Sequence, residues 1–128
     1  MSANICKLIS LNLRGINNFQ KRRIIFSWCC RKNADFAFLQ ETHSKKEIET
    51  QWRNEWGGKS LCSHGSSNSG GVAALIKNGV DCIIHSTIVD PSGRYLILKV
   101  EIEDNSYILT NFMRLMEIKI SLYFFETY

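Results

Sequence analysis

ICKLISLNLRGINNFQKRRIIFSWCCRKNADFAFLQETH, residues 5–43, decides the fold. It opens with ICKLISLN (5–12), a nearly continuous apolar run that stops at Arg14 and Gly15, as a buried central strand does on entering a loop. Asn17 and Asn18 then precede Ile24, Ile25, Trp28 and Cys29. Around these lie Lys21, Arg22, Arg23, Arg31 and Lys32, the pattern of an amphipathic helix with an asparagine cap and a stop at Asn33. ADFAFLQ (34–40) is a second short apolar run. Strand, helix, strand is a crossover unit, which makes the two strands parallel and ends both on one edge. Asn12 and Glu41 should therefore meet at one rim of a sheet.

Downstream, residues 44–56 place Ile48, Trp52 and Trp56 on one helical stripe. Ser44 and Glu47 form a capping-box pattern there, and Gly57-Gly58 makes the stop. The punctuation then changes to strands: 59–64, a polar loop 65–70, 71–77, an Asn78-Gly79 hairpin signal, and 80–89. A turn at Asp90-Pro91-Ser92-Gly93, a run 94–103, a turn near Asp104-Asn105 and a run 106–112 complete an antiparallel meander. Residues 113–128 have no clean period and carry Tyr123, Phe124, Phe125 and Tyr128. They are expected to form a divergent tail after a partial domain spanning 1–112.

With 128 residues, 45% hydrophobic and 22% charged, the chain has ordinary globular composition and room for one core. A net charge of +4 leans toward an acidic partner such as nucleic acid. The N-terminus lacks a secretory pattern and no run approaches the roughly 20 apolar residues of a membrane span, so a soluble, intracellular protein with no membrane partner is expected. The five cysteines are odd in number and scattered, which predicts reduced, mostly buried thiols. A zinc site would have to recruit Cys62 and His64 with His43 or His85. Without close-spaced ligand pairs, none is expected.

Glu41, a carboxylate at a strand end, suits a hard cation such as magnesium, which prefers oxygen ligands and takes one or two carboxylates from protein. It could equally be a residue leaving the sheet toward a helix cap. Asn12 could orient a phosphate or a water, or could make a turn. A shared rim raises the functional case for both. Lys21, Arg22, Arg23, Lys45 and Lys46 read as solvated helix surface before they read as phosphate contacts. Trp28, Trp52 and Trp56 read as core before base-stacking platforms. His43, His64 and His85 have no partner fixed by a local motif. The glycine-bearing loop 66–71 lacks the lysine of a phosphate-binding loop.

LNLRGINN (11–18) with KRR (21–23), FLQETHS (38–44), QWRNEWGG (51–58), SHGSSNSGGVAAL (63–75) and YLILKVEIEDNSYILTN (95–111) together resemble the endonuclease domain of non-LTR (LINE-type) retrotransposons. That domain belongs to the endonuclease/exonuclease/phosphatase superfamily. The resemblance implies the N-terminal half of a four-layer, deoxyribonuclease I-like α/β sandwich, with a mixed sheet and flanking helices. It also implies magnesium-dependent hydrolysis of DNA phosphodiesters. By motif, Glu41 takes the metal-ligand position and Asn12 the amide that helps orient the scissile phosphate and the attacking water.

After Asn111 the family continues into Tyr-Ala-Pro-Asn, whereas this chain reads Phe112-Met113-Arg114-Leu115-Met116. The family's Gly-Asp-Phe-Asn and Ser-Asp-His motifs have no match either. A truncated, catalytically incomplete domain is expected, or else a non-catalytic fragment that binds nucleic acid or a partner weakly. A phosphoinositide, sphingolipid or RNA-tail substrate is disfavoured by the Trp-rich helix followed by SHGSSNSGG. Truncation should also uncover an apolar face of the retained sheet and favour self-association through it, unless the aromatic tail folds back over that face.

Overall fold

The computed structural model describes residues 6–65, 69–112 and 120–125. In chain order the elements are β1 (Leu8–Asn12), α1 (Phe19–Arg31), β2 (Phe36–Gln40), a 3-10 turn (Lys46–Ile48), α2 (Glu49–Trp56), β3 (Lys59–Ser63), β4 (Val72–Ile76), β5 (Ile83–Val89), β6 (Tyr95–Ile102), β7 (Asn105–Phe112) and β8 (Ile120–Phe125). They build two four-stranded sheets, ordered β1-β2-β4-β3 and β5-β6-β7-β8. The crossover read from the opening stretch is present: β1 and β2 are parallel, joined by α1, whose N-cap Asn18 accepts a hydrogen bond from the Lys21 amide.

Every residue of β2 and β4 is buried, because both faces of the first sheet are covered. Ala37, Leu39, Ala73 and Leu75 face the helices, packing with Phe26, Trp52 and Trp56. Phe36, Phe38, Val72, Ala74 and Ile76 face the second sheet, against Leu96, Leu98, Val100 and Leu109. The helix layer is tied together by edge-on contacts of Phe26 with Trp52 and Trp56, at 6.2 and 5.9 Å between ring centroids. Trp56 Nε1 also donates to the Ile76 carbonyl at 2.9 Å. Trp52 and Trp56 are thus core residues, as their spacing suggested.

Several expectations are corrected. Asn78-Gly79 is not a hairpin turn: β4 is hydrogen-bonded to β2 on one side and β3 on the other, so it has no free edge for β5, and the chain crosses to the second sheet instead. The meander comprises β5 to β8. Its β6–β7 turn puts Glu103 and Asp104 at φ 51 and 66, the left-handed pair of a tight hairpin. The capping box does not form, because Ser44 is buried and engages His64, so α2 starts at Glu49 after the 3-10 turn. The inner face of the first sheet is not bare, since the second sheet lies over it. Within the tail, β8 pairs with the edge of β7, and the rest of the tail expected to fold back over a sheet face lies outside the described residues. The cysteines are free, but only Cys29 is buried, with Cys6 and Cys30 exposed. Among the described residues no helix is long and apolar enough to cross a membrane.

Candidate active site at the strand ends

β1 and β2 end together, with Asn12 opposite Gln40 and Glu41 following directly. The ladder continues past both strands: the Leu13 amide donates to the Gln40 carbonyl at 3.0 Å, Gly15 to Glu41 at 2.5 Å and Ile16 to Thr42 at 3.1 Å. On the other side Thr42 and His43 donate to the carbonyls of Gly71 and Gly70 at 3.0 and 2.9 Å, and Gly71 donates to Gly93 at 2.8 Å. The segment that carries Glu41 is therefore fastened both to the loop after β1 and to the loop before β4.

That fastening holds an unfavourable backbone. Glu41 and His43 sit at φ 52 and 55, in a left-handed region that costs a non-glycine residue on the order of 1 to 3 kcal/mol. Two glycines make the close approach feasible. A Cβ on Gly71, at φ +91, would lie 2.4 Å from Thr42 Oγ1, and one on Gly15 would lie 2.7 Å from His43 Nδ1. Gly71 of SHGSSNSGGVAAL thus lets the Glu41 turn in.

Glu41 is half-buried and Asn12 is exposed. Among the described residues neither side chain is held by a hydrogen bond or ion pair, so a carboxylate and an amide stand free at one rim. Beneath them the two sheets are joined by buried amides. Gln40 Nε2 donates to Asn111 Oδ1 at 2.7 Å and to Ser10 Oγ at 2.9 Å, while Asn111 Nδ2 donates to the carbonyls of Leu39 and Ala73 at 3.2 and 2.9 Å. Asn111 is 1% exposed and ties β7 to the first sheet directly below the rim. Sequence reasoning missed this role, although a polar residue at an inward position of an apolar strand was a usable signal.

The basic residues divide. Arg22 is buried, with Nε and Nη2 on the Glu55 carboxylate at 2.5 and 2.8 Å and Nη1 on the Ile16 and Asn17 carbonyls. Lys21 Nζ donates to the Leu13 carbonyl at 2.6 Å. Both side chains fix the helix layer to the loop behind Asn12 and are committed there. Arg23, Lys45 and Lys46 remain exposed. His43 packs on Gly15, and His85 lies 3.3 Å from Glu101, far along the sequence from the rim segments.

Helices over a mixed sheet, a second antiparallel sheet behind it, and free polar side chains where β1 and β2 end make up a deoxyribonuclease I-like endonuclease fold. No family model matches the sequence. Over 103 residues, 80% of this chain, it is 32% identical to the transposon TX1 uncharacterized 149 kDa protein of Xenopus laevis, of which it spans 8%. Among solved structures it is similar to the AP endonuclease LMAP of Leishmania major (TM-score 0.64, 17% identity, 84% of this chain and 39% of that one). It is also similar to TDP2 of Caenorhabditis elegans (0.61, 18%, 88% and 36%). The endonuclease domain of TRAS1, a telomere-specific non-LTR retrotransposon, superposes with a TM-score of 0.55 at 12% identity, over 86% of this chain and 46% of that one. The chain thus has a deoxyribonuclease I-like fold and is similar to LINE-type endonuclease domains, and it spans less than half the length of each of these relatives.

Proposed function

We propose that this chain is part of a magnesium-dependent DNA endonuclease domain of retrotransposon origin, with Glu41 as metal ligand and Asn12 as the amide that orients the phosphate. The observation that carries the reading is the free, half-buried Glu41 carboxylate beside the free Asn12 amide at the rim. The donor set fits a hard divalent cation, which takes oxygen ligands and needs only one or two carboxylates. When bound, magnesium would supply positive charge against the charge that develops on the phosphodiester. Asn12 would donate its amide N–H to a non-bridging phosphate oxygen. The cross-linked turn would hold Glu41 in place without reorganisation as charge develops. Exposed Arg23, Lys45 and Lys46, in a chain of net charge +4, support DNA as the partner.

Taken alone, the chain is proposed to be catalytically incomplete, because no residues in it match the family's tyrosine, Gly-Asp-Phe-Asn or Ser-Asp-His motifs. Loss of a general base and of a charge-stabilising group lowers the rate by roughly 10⁴ to 10⁷ if the effects multiply. Phe112 ends β7 next to Asn111, which bonds Gln40 just below the rim, and this is the place in the chain where the family's next motif would follow. Self-association is proposed to run through the outer face of the second sheet, where Ile83, Ile88 and Phe112 are exposed. A monomer at all concentrations in sedimentation would remove that part.

Supercoiled plasmid incubated with the chain and magnesium, beside Glu41→Ala, tests the reading. The expected result is no nicking above the variant, with DNA retention that weakens steeply as salt rises. Nicking lost in Glu41→Ala would overturn the incompleteness. Absence of both nicking and retention would overturn the nucleic-acid reading and leave the fold alone.

A further inference from the structure

We infer that Glu49, Cys62 and His64 form a binding site for a zinc-type divalent cation, separate from the Glu41 rim and independent of the endonuclease reading. One ligand atom from each of the three lies within 4.8 Å of the others. The arrangement follows from the fold: Cys62 and His64 are two residues apart at the end of β3 and project to one side, while Glu49 opens α2, which packs on β3. A zinc set read from the sequence would need His43 or His85 as the third ligand. The third ligand comes instead from a glutamate that only the α2–β3 packing brings near.

The donor set of sulfur, imidazole nitrogen and one carboxylate oxygen suits zinc and poorly suits magnesium. Zinc bonds of about 2.0 to 2.3 Å place tetrahedral ligand atoms roughly 3.3 to 3.8 Å apart, a small adjustment from the observed spacing. His64 is already oriented. Its Nδ1 lies 2.8 Å from Ser44 Oγ, itself 3.0 Å from Thr42 Oγ1, and its Nε2 faces Glu49 Oε1 at 2.5 Å. Metal-bound histidines typically use one ring nitrogen on the ion and the other on such an outer partner.

On binding, the Cys62 thiol releases its proton to solvent. With Nε2 on the ion the imidazole hydrogen sits on Nδ1, where Ser44 Oγ accepts it, and a water fills the fourth position. Burial and the Glu49 charge push the Cys62 thiol up to about 12. A serine-nucleophile reading of Ser44, His64 and Glu49 fails because Ser44 is 0% exposed, so no substrate reaches its oxygen.

The test is titration of the reduced full chain with cobalt(II), then displacement by zinc. One equivalent should bind with a near-ultraviolet thiolate-to-cobalt band, which an oxygen-only site at Glu41 cannot give. Cys62→Ser should abolish the band and Cys82→Ser should keep it. Zinc should raise the melting temperature of the wild type and of Cys82→Ser, but not of Cys62→Ser. Glu49→Gln, at a partly exposed residue, should weaken binding at least about 10-fold, since even outer partners of metal ligands are worth that much. A wild type that binds neither ion, a band of full intensity in Cys62→Ser, or unchanged affinity in Glu49→Gln would each overturn the site. The last result decides if Cys62→Ser does not fold.

Discussion

The two sheets differ in what covers them. The first is enclosed, with β2 and β4 buried along their whole length between helices and the second sheet. Among the described residues the second is covered on one face only, and in β5 every residue but Ile84 is exposed. Asn12 and Glu41 both belong to the enclosed sheet, so the candidate active site is built on the stiffer layer. The second sheet backs that layer, tied to it near the rim by Asn111. Stability and site geometry should therefore respond to changes in the first sheet and in the tie, and hardly at all to changes on the outer face of the second.

The largest effect should come from Phe38→Ala. It empties a side chain that is 1% exposed between the sheets and should lower stability by about 3 to 5 kcal/mol in denaturant unfolding. Asn111→Ala comes next. It leaves the Leu39 and Ala73 carbonyls and the Gln40 amide without their shared partner, and about 2 to 3 kcal/mol should be lost, with amide exchange accelerating at the rim end of both sheets. Gly71→Ala should cost about 1 to 3 kcal/mol from the left-handed backbone and the Thr42 contact, and should displace the Glu41 turn. Ile88→Ala, at an exposed position of β5, should stay within about 0.5 kcal/mol. Equal losses for Phe38→Ala and Ile88→Ala would break the contrast between the sheets.

A pH series sharpens the same contrast in the helix layer. The hydrogen bond from Arg22 holds the Glu55 carboxyl below its ordinary value of 4.5. A depressed carboxyl contributes stability that is present above 4.5 and is lost as pH falls through the lowered value. Melting curves between pH 7 and pH 2 should therefore show a smaller acid-side loss in Glu55→Gln than in the wild type. An identical acid-side loss would place the sensitivity elsewhere.

The crossover was legible in the sequence because strand and helix periods, an asparagine cap and a left-handed stop are local signals, and Asn33 does sit at φ 57. So was the likeness to LINE-type endonuclease domains, from ordered motifs. The partition of strands between sheets was not. Asn78-Gly79 is a sound turn signal, but whether a turn joins neighbouring strands depends on which edges are taken, and β3 had already taken the edge of β4. Ser44 was misread for a similar reason: its hydroxyl is engaged by His64, 20 residues away. Asn12 and Glu41 could be placed at one rim because a parallel crossover dictates it, whereas Asn111 and the Glu49, Cys62 and His64 cluster depend on packing between distant segments.

The central claim, that the rim at Asn12 and Glu41 holds a divalent cation, is tested most directly by nuclear magnetic resonance with manganese(II) standing in for magnesium. Paramagnetic broadening should centre on the amides of residues 12–15, 41–43 and 70–71, and should vanish in Glu41→Ala while the remaining spectrum is preserved. Broadening centred elsewhere, or unchanged in Glu41→Ala, would contradict the account.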